Sequence, residues 1–213
     1  MNFNFISIEG NIGSGKTSLS KQLSNVYESK IVLERFENNP FLNDFYKNKE
    51  NDALALELFF LAERFQQLSD KRSSETLFSN QIISDYAFFK SLLFAQNNLS
   101  DEKYNLFARL YSIMSSTIRN PDLIIYLHAD IDRLKSNIDH RDRYYERGLD
   151  LKYLKNIELK YFDYLKKQSH SKVLILDVTK IDFVNHLRSF NEIVHILNNL
   201  TFETNSEIIK KIL

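Results

Sequence analysis

Cysteine is absent from the 213 residues, which excludes disulfides, thiolate zinc sites and thiol chemistry and fits a reducing compartment. Neither sign of charge is in excess. The 28 Lys and Arg balance 28 Asp and Glu, so no global basic field holds polymeric nucleic acid, and any basic site has to be local. Apolar runs of about 18 residues, the length of a membrane span, do not occur. The N-terminal MNFNFISIEG also lacks the basic and apolar regions of a secretion signal. A soluble cytoplasmic chain without a membrane partner is expected. The five histidines (His128, His140, His170, His186 and His195) show neither HxxxH nor HExxH spacing, so no metal is expected beyond one that a substrate brings. No Pro/Gly/Ser-rich linker divides the chain, and one domain over 1–213 is expected.

Glycine and proline are scarce, four and two, and three of the four glycines fall between positions 10 and 15. Such crowding marks a segment that needs unusual backbone geometry. Short, almost wholly apolar runs at Phe3–Ile8, Ile31–Leu33, Gln81–Ser84, Leu123–Leu127 and Val173–Leu176 read as strands buried on both faces. Helical periodicity lies between them at Lys16–Glu28, Ala53–Lys71, Phe88–Asn97, Glu102–Arg119 and Leu151–Lys167, and again at Asp182–Leu197 and Glu203–Leu213. Alternating strands and helices predict an α/β fold, a doubly wound five-stranded parallel sheet with a helical tail over 201–213. Sites in such folds gather beyond the carboxyl ends of the strands.

Gly10-Asn11-Ile12-Gly13-Ser14-Gly15-Lys16-Thr17 matches the phosphate-binding loop GxxxxGK[ST], between a predicted strand and a predicted helix as that motif requires. Glycines let the backbone amides turn inward around phosphates, and the positive end of the following helix adds to them. Lys16 supplies a mobile charge to the β- and γ-phosphates, and Thr17 a hydroxyl to Mg²⁺. Together with Ser18, the loop is read as the ATP-binding stretch.

Glu34 follows the second strand and Asp85 the third, both beside the loop. Glu34 either engages an acceptor hydroxyl or faces water, and Asp85 is either a Mg²⁺ partner or a solvated turn residue. Arg141, Arg143 and Arg147 crowd a segment before the helix at Leu151. It reads as an arginine-bearing lid over about 139–150 or as an exposed charged turn.

With these markers, the chain resembles the deoxynucleoside kinase family, in particular its bacterial deoxyadenosine/deoxyguanosine kinase branch. The likeness runs from Phe5 to about Asp182 through IEGNIGSGKTSL, ERFENNPFLNDFY (Glu34–Tyr46), ELFFLAERF (Glu57–Phe65), SDY (Ser84–Tyr86), PDLIIYL (Pro121–Leu127) and RDRYYE (Arg141–Glu146). The resemblance implies ATP-dependent phosphorylation of the 5′-hydroxyl of a deoxynucleoside, purine favoured, and a homodimer. It makes Glu34 the base for the 5′-hydroxyl, and Tyr46 and Glu146 the partners of the sugar 3′-hydroxyl. Arg141 and Arg143 become lid arginines, and Asp85 the acid of an Asp/Glu-Arg-Ser motif.

Two positions depart from the family pattern. Glu57 stands where a glutamine usually reads the base, and an ionised carboxylate only accepts hydrogen bonds. If Glu57 faces away, Gln66 or Gln67 is the alternative reader. Tyr86 replaces the motif's arginine, so either Arg64 or Lys90 supplies the cation near Glu34 or the branch works without one. Competing readings are a nucleoside monophosphate kinase of thymidylate kinase type and a nucleotide-binding switch. The first requires extra cations for the acceptor's phosphate, and the second usually carries an NKxD-like segment, which is not seen here.

Overall fold

The computed structural model describes residues 3–36, 39–47, 52–69, 81–146, 148–204 and 207–213. Its sheet has six parallel strands in the order β2-β3-β1-β4-β5-β6. They are β1 (Phe5–Gly10), β2 (Lys30–Val32), β3 (Ile82–Ser84), β4 (Leu123–His128), β5 (Lys172–Asp177) and β6 (Ile208–Ile212). Both faces of the central strands are covered, as their continuous apolar runs require. In β4, Leu123, Ile125 and Leu127 pack on one side, in a core shared with Leu19, Leu134 and Ile193. Ile124 and Tyr126 pack on the other, with Phe45, Leu56, Ile157 and Tyr161. Each such fully buried side chain contributes about 1.5–3 kcal/mol.

The first face carries α1 (Lys16–Val26), α6 (Ile131–Arg141) and α8 (Leu187–Asn198). The second carries α2 (Leu42–Lys47), α3 (Ala53–Ser69), α4 (Lys90–Asn98) and α7 (Leu151–Lys167). Helix α5 (Asp101–Ser115) lies outside α3 and α4 and buries Phe107. Among the described residues, no helix is long and apolar enough to cross a membrane.

Three features differ from the sequence expectation. The segment expected to be a helical tail instead adds β6, parallel to β5, with Ile208 opposite Val173 and Ile212 opposite Asp177. The hydrogen-bonding edge of β5 is a partner that local sequence does not display, and Ile209 and Leu213 pack against the core as β6 docks. The sheet is therefore six-stranded rather than five-stranded.

Helix α6 was not anticipated because its buried stripe is thin. Leu134 and Ile138 lie among charged residues, and definition comes from the Asp130 cap accepting the Arg133 amide at 2.8 Å. The short α2 was also missed. The expected end of α3 at Lys71 lies outside the described residues.

The buried stripe of α3 joins Ala53, Leu56 and Leu61 to two charged residues, Glu57 and Arg64. Burying an ionisable group without partners is costly, so this stripe points to a site.

Candidate active site

The loop between β1 and α1 closes against α6, α7 and the segment before α8. Gly13 has φ +83°, and a Cβ there would lie 2.8 Å from the Leu134 carbonyl. At Gly15, φ is +90°, and a Cβ would lie 2.7 Å from the Phe183 ring. Asn11 donates to the Leu154 carbonyl (2.7 Å), and Asn137 to the Gly13 carbonyl (2.8 Å). Gly10 and Asn11 thus shape the loop from behind, whereas Gly13 through Ser18 line an open groove of about 1450 Å³. Ile12 faces a second cavity on the other side.

Lys16 donates to the Asn11 carbonyl at 2.8 Å. Burial and the neighbouring Lys90 charge pull its ammonium down to about 7. The Ser14 hydroxyl oxygen is buried with no hydrogen-bond partner. A desolvated cation and an orphaned hydroxyl on a glycine-lined loop suit a bound polyphosphate.

Thr17 donates to Asp85 Oδ2 at 2.5 Å, and Asp85 Oδ1 accepts the Glu34 amide at 2.7 Å. Asp85 therefore joins the start of α1 to the chain leaving β2. Thr17 and Asp85 thus sit side by side at the start of α1.

Glu34 is paired with two cations. Its Oε1 accepts from Arg64 Nε (2.9 Å) and Nη2 (2.5 Å), and its Oε2 from Lys90 Nζ (2.6 Å). Burial alone would push this carboxyl up, but Lys90 and Arg64 hold it down at about 2. Both candidates for the missing arginine's cation are thus on Glu34. Lys90 reaches it from the first turn of α4, one turn beyond Tyr86. Tyr86 is fully buried and braces α3 instead, donating to Gln67 Oε1 at 2.7 Å while Gln67 donates to the Leu33 carbonyl at 3.1 Å. Gln67 is therefore engaged with the chain leaving β2, and Gln66 faces solvent.

Glu57 instead lines the second cavity, with Tyr46, Phe60, Phe94, Asn98 and Glu146. Its Oε1 accepts from Asn98 Nδ2 at 2.7 Å. Glu146, 5% exposed, is ion-paired with Arg141 and lies 3.6 Å from Arg143 Nη1. Arg143 also covers the Phe36 ring at 4.0 Å. Burial, with Tyr153 and Glu146 nearby, raises the Tyr46 hydroxyl well above its ordinary value and keeps it protonated. Arg147 of the expected lid lies outside the described residues.

The groove and the cavity meet at Gly13, Lys16, Thr17, Glu34, Asp85, Arg141 and Arg143, all of which line both. A donor on one side and an acceptor on the other would face each other there.

Sequence reasoning missed Glu9 and Asn98. Glu9 is fully buried, accepting from the Ala87 amide (2.5 Å) and the Tyr161 hydroxyl (2.8 Å), and so ties β1 to the turn before α4 and the middle of α7. Burial against the opposing pull of Lys90 raises its carboxyl to about 7. The available signal was a carboxylate inside the apolar run FISIEG. For Asn98, at the end of α4, the sequence offered no signal.

The profile of the family described as deoxynucleoside kinase matches residues 6–201. A deoxyguanosine kinase of Bacillus subtilis is 32% identical over 193 residues, covering 89% of this chain and 93% of its own. A deoxyadenosine/deoxycytidine kinase of the same organism is 27% identical, covering 89% of each chain. Among solved structures, deoxyadenosine kinase from M. mycoides with bound dATP superposes with a TM-score of 0.74 at 23% identity. It covers 91% of this chain and 98% of its own, a likeness of fold.

Proposed function

We propose, for a chain that belongs to the deoxynucleoside kinase family, that it transfers the γ-phosphoryl group of ATP to the 5′-hydroxyl of a deoxynucleoside, purine favoured. The observation that carries this reading is the junction of groove and cavity, where Lys16, Thr17, Asp85 and Glu34 converge. The groove takes the triphosphate, with loop amides and Lys16 around its phosphates. Mg²⁺ carried by the nucleotide, beside Thr17 and Asp85, supplies neutralisation of the phosphate oxygens.

In the cavity, Tyr46 and Glu146 hold the sugar 3′-hydroxyl, Glu57 meets the base, and Glu34 accepts a hydrogen bond from the 5′-hydroxyl. A carboxylate held near 2 is a weak base. Glu34 therefore aligns the hydroxyl for in-line attack and takes its proton only as the bond to phosphorus forms. Arg141 and Arg143 move from Glu146 toward the transferring group as the acceptor engages that carboxylate, and stabilise its spreading charge.

The pairing of Arg64 and Lys90 with Glu34 supports a neutral acceptor over a monophosphate, whose own charge would need cations. A homodimer is proposed as well. Leu106, Leu110 and Ile113, at helical spacing on α5, are 52%, 38% and 71% exposed, an apolar stripe suited to a second copy.

The test is ADP release from MgATP with each deoxynucleoside and each 5′-monophosphate, repeated with excess chelator. Turnover with nucleosides alone, lost with chelator and in Lys16→Ala, is expected. Turnover with monophosphates only would overturn the assignment of the acceptor.

A further inference from the structure

Four carboxylates are buried among the described residues besides Glu34, whose side chain is 17% exposed: Glu9, Glu57, Asp85 and Glu146. Glu9 and Asp85 have hydrogen bonds on both oxygens, and Glu146 is held by two arginines. Glu57 differs. It is 1% exposed and lines the acceptor cavity, yet its Oε2 has no hydrogen-bond partner. An orphaned buried carboxyl oxygen is costly and needs a partner, which at this position only the cavity can supply.

The orientation of the neighbouring amide is set. Asn98 Nδ2 donates to Glu57 Oε1, and Asn98 Oδ1 accepts from Asn97 Nδ2 at 3.0 Å. The nearby cations serve Glu34: Arg64 through Nε and Nη2, with Nη1 on Ser91, and Lys90 through Nζ. The atom left for a base is therefore the carboxyl itself, whose hydrogen-bonding character depends on its proton. As a carboxylate it accepts two hydrogen bonds, which suits the adjacent N1–H and amino group of guanine. As a neutral acid it donates one and accepts one, which suits N1 and the amino group of adenine.

Resting on the kinase reading above, we propose that the protonation state of Glu57 selects the purine. The carboxylate takes deoxyguanosine, and the neutral acid takes deoxyadenosine.

Both forms are within reach at neutral pH. Burial pushes the Glu57 carboxyl up to about 7, against the pull of Arg64 on its own helix and of Asn98 and Lys90 on α4. Glu34, after β2, adds to the upward push. Tyr153 faces it from α7, and desolvation together with the Glu57 charge raises that hydroxyl, which stays neutral. At pH 7 guanine therefore binds with loss of a proton from the protonated molecules, and adenine with uptake of one by the ionised molecules.

The experiment measures kcat/KM for deoxyguanosine and deoxyadenosine from pH 6 to 8.5 at saturating MgATP. The expected guanine-to-adenine ratio rises by up to about a hundredfold between pH 6 and 8, as the ratio of ionised to neutral carboxyl changes for a group titrating near 7. Glu57→Gln, a fixed donor and acceptor with no proton to exchange, flattens the ratio across this pH range. Calorimetry of nucleoside binding at pH 7, in buffers of different ionisation enthalpy, gives proton release with deoxyguanosine and uptake with deoxyadenosine. A flat wild-type ratio, or the same inflection in Glu57→Gln, overturns the proposal. If neither nucleoside is phosphorylated, the kinase reading falls, and the sign of proton exchange on binding still decides the role of Glu57. Absence of binding by either nucleoside overturns both.

Discussion

Lys90 and Glu57 carry opposite electrostatic consequences within the same cavity. Lys90→Gln leaves Glu34 paired with Arg64 alone, so its carboxyl climbs from about 2 toward 4.5. Turnover is expected to fall about tenfold or more, with an acid limb appearing in kcat/KM above pH 4. A pH–rate profile unchanged from wild type would remove Lys90 from the role of positioning Glu34. Glu57 acts on stability in the other direction. Its raised pKa means that the folded state holds the proton more tightly, so stability is lost as pH rises from 4.5 through about 7. The full cost above that window is at most about 3 kcal/mol. Glu57→Gln is accordingly expected to match wild type in thermal midpoint near pH 4.5 and to exceed it by several degrees at pH 8. Glu9 titrates in the same range but is present in both proteins and cancels. An equal difference at the two pH values would sink the argument.

At the scale of elements, the phosphate loop is held by backbone proximity that only glycine permits. Gly13→Ala sets a Cβ 2.8 Å from the Leu134 carbonyl and 2.9 Å from Ile138 Cγ1, at a φ of +83°. Helix α6 must move, at a cost of about 1–3 kcal/mol for the strained residue alone. Gly148→Ala has nearly the same φ, +82°, but meets nothing within 4 Å. Urea unfolding and the ATP-induced rise in thermal midpoint separate the two. The first variant is expected to lose both stability and the ATP response, and the second only a little stability. Strand β6 gives another test of an element. Removing 201–213 bares the hydrogen-bonding edge of β5 and uncovers the core contacts of Ile209 and Leu213. A lower thermal midpoint and concentration-dependent association are expected, because an unpaired edge invites another chain. An unchanged midpoint would show that β6 contributes nothing to the sheet's stability.

For the whole molecule, the stripe on α5 is the feature that asks for a partner. Ile113, 71% exposed, is expected to lie in the interface between two copies. Ile113→Glu should convert a dimer to a monomer by light scattering while leaving the fold intact by circular dichroism. A monomeric wild type would end the dimer proposal. The second cavity draws on α2, α3, α4, the segment from Arg141 to Glu146 and α7, so the second face of the sheet holds both the aromatic core and the buried Glu57 carboxyl.

Local sequence determined the strand–loop–helix at Gly10–Thr17, the central strands and the candidate residues Glu34, Asp85, Arg141 and Arg143. Glu34 and Asp85 follow the ends of β2 and β3, and Arg141 and Arg143 stand together by their spacing in the chain. Other features were settled only when distant segments met. A strand edge has no meaning until its neighbour is present, so β6 read as a helix. The choice among Arg64, Lys90, Gln66, Gln67 and Glu57 depended on which side chains α3 and α4 turn toward one cavity. The protonation of Glu9, Glu57 and Lys16 is tertiary for the same reason. Desolvation and opposing charge come from elements far apart in the chain, and burial is a property that composition does not carry.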